Sequence, residues 1–80
     1  MNTGSHHKME LNNFLQGLPN GSPLKASGAN WIVGYTGPEH DRRWHAAVTI
    51  AGRTWDAEDG NKRDAQDTAA ELALKELRGF

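Results

Sequence analysis

The chain has 80 residues and a formal net charge of −1, with ten acids against nine lysines and arginines, so it can form one small domain and carries no overall basic excess. The absence of cysteine excludes disulfides and thiolate metal sites and leans towards a reducing, intracellular compartment, cytoplasm or nucleus. No apolar run reaches the length of a membrane span and no charged-then-apolar leader opens the chain, so neither membrane insertion nor secretion is expected.

Residues 1–8, MNTGSHHK, have no apolar period and read as a disordered tail or the remnant of an expression tag, which leaves residues 9–80 as the domain. His6 and His7 have no companions there to close a metal coordination sphere, and no metal is expected. From Met9 to Leu18 the pattern changes. Met9, Leu11, Phe14, Leu15 and Leu18 recur at three and four residues, which predicts a short amphipathic helix ending near Gly17. Pro19, Gly21 and Pro23 then mark a breaker-rich linker running to about Asn30.

Trp31 to Thr36 is rich in β-formers and predicts a first strand. Gly37-Pro38 turns the chain into a polar loop, Glu39 to Arg42. Arg43 to Ile50 alternates Trp44, Ala46, Val48 and Ile50 against Arg43, His45, Ala47 and Thr49, the pattern of a half-buried strand. Ala51-Gly52 is a tight connection to a third, shorter strand, Arg53 to Asp56. The aromatic residues Phe14, Trp31, Tyr35, Trp44 and Trp55 are read as core, because in so short a chain they fill space most effectively.

The last element is a helix over Gly60 to Leu77. Asn61 is an N-cap candidate and Asp64 an acid suited to the first turn. At about 100° per residue, Ala65, Ala69, Ala70, Leu72, Ala73, Leu74 and Leu77 form one apolar arc, and Asp64, Asp67, Thr68, Glu71, Lys75 and Arg78 are expected on the wet side. Lys62 and Arg63 then project from a first turn whose free N–H groups attract anions, and a phosphate is the natural guest. The predicted class is α+β, in the order α-β-β-β-α, with a three-stranded antiparallel sheet and two helices packed on one face.

Catalysis is not expected. His40 and His45 with Glu39 and Asp41 match no familiar metal-ligand spacing, and no Gly-rich phosphate loop with its lysine occurs. No cofactor is implied.

The order of elements and three local strings resemble the double-stranded RNA-binding domain family over Met9 to Leu77. Leu11-Asn12-Asn13-Phe14 is similar to its first-helix string, Gly37-Pro38-Glu39-His40 to its loop string, and Gly60-Asn61-Lys62-Arg63-Asp64-Ala65-Gln66, followed by Ala69-Ala70, to the start of its second helix. The resemblance implies a partner, double-stranded RNA, recognised by shape, 2′-hydroxyls and phosphates over about 16 base pairs with weak sequence preference. Asn13 and Gln16 of the first helix and His40 of the loop would enter two successive minor grooves. Asn61, Lys62, Arg63 and Gln66 would face the intervening major groove, and Arg42 would either reach phosphate or pair with Glu39 and Asp41. The chain departs from the family at Gln66, which stands where a third lysine is usual, and Asp56, Glu58 and Asp59 lie just upstream. With about three phosphates neutralised, a fourfold rise in salt should weaken binding roughly 40-fold. The alternative expectation is a domain of the same fold that docks a protein partner or a second copy.

Overall fold

A computed structural model describes residues 6–79, in the order α1 (His7–Gln16), α2 (Pro23–Ser27), β1 (Asn30–Thr36), one turn of 3₁₀ helix (Glu39–Asp41), β2 (Arg43–Ile50), β3 (Arg53–Asp59) and α3 (Lys62–Leu77). The strands form one antiparallel sheet in the order β1-β2-β3. Its register pairs Trp31 with Val48 and Tyr35 with Trp44 on one side, and Val48 with Trp55 and Trp44 with Asp59 on the other. The α+β class and the α-β-β-β-α order therefore hold, with α2 inserted in the segment expected to be linker. Pro23 suits its first turn, where a missing N–H costs nothing, and Gly28 stops it at φ 67°.

The core lies between α3 and the sheet. Ala46, Val48, Ile50 and Trp55 of the strands meet Ala65, Ala69, Ala70, Ala73 and Leu74 of α3, all buried. Alanine on the helix lets it approach the sheet closely. Helix α1 packs beside α3 on the same face, where Leu11 and Leu15 complete the cluster and Phe14, Leu18 and Trp31 close its edge. Ala51 and Gly52 both have positive φ, 51° and 84°, the sign required by the tight hairpin that returns β2 into β3.

Five expectations are corrected. Helix α1 starts at His7, not Met9, so His7 and Lys8 belong to the domain and not to a tail; the tail expectation for residues 1–5 lies outside the described residues. The cause is long-range. Asp67 Oδ1 accepts from the His7 backbone N–H (2.8 Å) and Oδ2 from the His7 ring Nδ1–H (2.7 Å), so a carboxylate of α3 satisfies the first turn of α1. Asp67 is accordingly only 9% exposed and does not lie on a wet face, because α1 covers a second side of α3. Met9 (62% exposed) and Leu72 (40%) point away from the core, since they fall outside the arcs that α1 and α3 present to each other and to the sheet. Strand β3 runs on to Asp59, because Ala57, Glu58 and Asp59 pair with Ala46, His45 and Trp44. Finally, Tyr35 is 54% exposed rather than core, at a sheet end that the helices leave uncovered.

Candidate nucleic-acid interface

The register brings the expected contact residues together in part. Thr36 ends β1 opposite Arg43, and Asp59 ends β3 opposite Trp44. The loop after β1 and the link into α3 therefore leave the sheet at the same end. In the loop, Gly37 has φ 91°, and a Cβ there would stand 2.6 Å from the Asp41 carbonyl oxygen, so only glycine closes this turn without strain. The Asp41 N–H donates to the Pro38 carbonyl (2.9 Å), and the single helical turn carries His40 on the exposed rim.

At the start of α3 the Asn61 carboxamide works in both directions. Its Oδ1 accepts from the Asp64 N–H and its Nδ2 donates to Asp64 Oδ2, each at 2.8 Å. Asn61 is thus a helix cap whose side chain is already engaged. Lys62 and Arg63 are exposed on the first turn, and among the described residues neither has an ion-pair partner. Gln66 is half-buried one turn on.

The other cations of the sheet are differently placed. Arg43 pairs with Glu58 (3.2 Å) and Arg53 with Glu76. Arg42 pairs with neither Glu39 nor Asp41; its guanidinium lies 4.1 Å from the centroid of the Tyr35 ring. His45 Nδ1 meets Glu58 (2.9 Å) and its Nε2 meets Thr36 Oγ1 (3.2 Å), which takes it away from His40. Among the described residues, Lys62, Arg63 and Arg42 are therefore the cations without an acidic partner at this end of the sheet.

Asn13 and Gln16 are exposed on α1, within an arc of about 60°. Gln16 lines a shallow depression with Asn12, Lys25, Gly28 and Ala29, between α1 and α2. Helix α1 meets α3 through the His7–Asp67 bonds, one turn beyond Lys62 and Arg63. The Asp67 carboxylate, hydrogen-bonded to the ring, raises the His7 pKa above its usual 6.5 against the opposing effect of burial, and Glu71 and Glu10 add to the rise.

The sheet face opposite the helices has another character. Ile32, 73% exposed, is paired with Ala47, and Asp56 lies beside Ala47 on β3. Arg43 and His45 meet Glu58 on this face and Asp56 is its other carboxylate, so among the described residues it offers a polyanion no unpaired lysine or arginine.

A family model described as Double-stranded RNA binding motif matches residues 32–77. The chain belongs to that family. Among curated proteins, this double-stranded RNA binding motif is similar to Ribonuclease 3 of Thermobifida fusca (strain YX), 37% identical over 49 residues that cover 60% of this chain and 20% of that protein. It is also similar to RNA-binding protein OPG065 of Vaccinia virus (strain Copenhagen), 44% identical over 45 residues covering 55% of this chain and 24% of the relative. The chain thus spans a quarter or less of the length of these relatives. Among solved structures it resembles Arabidopsis HYL1 with a TM-score of 0.71 at 24% identity, covering 92% of this chain and 99% of that one. The second such domain of DRB4 aligns with a TM-score of 0.66 at 21% identity, over 92% and 97% of the two chains. At these identities the two structures establish a shared fold.

Two features of the site escaped the reading of the sequence. The contact of Arg42 with Tyr35 needed strand pairing, although Tyr35 and Trp44 sit in the alternating pattern of adjacent strands. Lys25 stands in a stretch read only for its breakers.

Proposed function

We propose that this chain is a non-catalytic module that binds double-stranded RNA by shape and backbone, as part of a longer intracellular protein. Family membership supports the ligand, and the longer relatives support the wider context. The observation that carries the reading is the pair Lys62 and Arg63. They stand on the first turn of α3 without an acidic partner among the described residues, at the sheet end that also bears the His40 loop. A helix N-terminus with two free cations suits phosphates across a major groove. His40 on one side and Asn13 and Gln16 on the other can exchange hydrogen bonds with 2′-hydroxyls of the flanking minor grooves. Gln66 adds a hydrogen-bonding group where a further cation is usual. Asn61 serves the interface by capping the helix that carries the clamp. Arg42 supplies a third positive charge.

The ligand assignment is tested by titrating an RNA duplex of about 20 base pairs, longer than the footprint, and a DNA duplex of equal length at low salt. Tighter binding of the RNA is expected; equal or absent binding would remove the reading. One observation favours a second reading, docking of a protein or a second copy, namely the exposed Ile32 on the open sheet face. A mass in solution that rises with concentration and falls back on Ile32→Lys would favour it.

A further inference from the structure

Arg42 is held in an unusual way for a surface cation. The other two arginines of the sheet, Arg43 and Arg53, are paired with Glu58 and Glu76, whereas Arg42 has no acidic partner among the described residues despite Glu39 and Asp41 close by in sequence. What holds it is aromatic. The guanidinium carbon stands 4.1 Å from the Tyr35 ring centroid and 5.8 Å from that of Trp44, both within the roughly 6 Å reach of a cation–π contact. The two rings lie 5.1 Å apart and tilted by 55°. Their arrangement follows from the sheet: Tyr35 is paired with Trp44 across β1 and β2, so both side chains leave the same face, and Arg42 immediately precedes β2. Arg42 Nε is buried without a hydrogen-bond partner among the described residues, a condition that disfavours the arrangement unless the rings compensate for it.

A guanidinium held against aromatic rings differs from a salt-bridged one. The rings limit its movement without cancelling its charge, and its terminal Nη donors, unlike the buried Nε, can meet phosphate oxygens. We propose that Tyr35 and Trp44 are positioning residues that hold Arg42 as a preset phosphodiester contact for duplex RNA, at the sheet end shared with the His40 loop and the start of α3. The inference rests on the duplex-RNA reading and assigns exposed Tyr35 and half-buried Trp44 a part in it. Restricting the side chain before binding lowers the ordering cost when the phosphate arrives.

The test uses the whole chain, an RNA duplex of about 20 base pairs and a series of salt concentrations. Arg42→Ala is expected to weaken binding and to reduce the slope of log affinity against log salt by about one. Tyr35→Leu, which keeps bulk but removes the π face, is expected to weaken binding about fivefold. Tyr35→Phe restores the affinity that leucine loses. Thermal unfolding of each variant separates binding from folding. If the wild type binds while Arg42→Ala leaves both affinity and slope unchanged, the inference is overturned and the duplex-RNA reading stands. A Tyr35→Leu variant that melts earlier yet binds as tightly also overturns it, because the stack is then structural. Failure of the wild type to bind duplex RNA overturns both.

Discussion

Lys62 and Arg63 lie on an exposed first turn, so replacing them changes charge with little effect on packing. Lys62→Ala with Arg63→Ala should lower duplex-RNA affinity at least about tenfold and reduce the salt slope by about two, while the melting temperature stays unaltered. An unchanged slope in a titration at several salt concentrations would remove the clamp. His7 allows a prediction with a definite sign. Its native pKa is raised by the Asp67 carboxylate, so the folded chain holds a proton that the unfolded chain releases. The stabilisation is present in full below about pH 6.5, and it is lost as pH rises through the raised native value. Chemical denaturation across that window should show stability falling with pH, and His7→Gln should flatten the decline. The His7–Asp67 contact was not legible locally. The apolar spacing of α1 begins at Met9, and His7 joins the helix only because its partner, sixty residues away in sequence, is brought alongside by the packing of α1 on α3. Asp67 misleads for the same reason: read on its own helix it belongs to the polar side.

At the level of elements, local chemistry determines most of the fold. The alternation in β2, the Asn61 cap and the Ala51-Gly52 turn are all visible in the chain, and each is where it was expected. What was hidden depends on neighbours. Strand β3 continues through Glu58 and Asp59, poor strand formers, because β2 offers a backbone ladder and Arg43 and His45 meet Glu58. The loop before β2 depends on Gly37. Gly37→Ala places a methyl group against the Asp41 carbonyl at a positive φ and should cost at least about 1–2 kcal/mol. RNA affinity should fall with it, because His40 rides on that loop; a variant with unaltered melting and unaltered affinity would show that the loop geometry is dispensable. In the hairpin, Ala51 adopts φ 51°. Ala51→Asn should relieve part of that strain and raise the melting temperature by a few degrees, as a thermal scan would report.

For the whole molecule, a net charge of −1 is reconciled with a polyanionic ligand by segregation. Glu58 and Glu76 neutralise Arg43 and Arg53, and Asp56 is a further acid on the open sheet face. Among the described residues, Lys62, Arg63 and Arg42 remain without an acidic partner at the end where β1, β3 and α3 converge. Composition alone could not reveal this. It counts charges without pairing them, and the pairing is set by the sheet register. On the proposed function, α1, the His40 loop and the start of α3 act as one surface on duplex RNA while the opposite sheet face stays outside the contact. Its most direct test is the change in backbone amide chemical shifts during titration with an RNA duplex. Shifts are expected at Asn13 to Gln16, at Gly37 to Arg42 and at Asn61 to Gln66, with Ile32, Ala47 and Asp56 unmoved. Shifts centred on those last three residues, with the start of α3 silent, would contradict it.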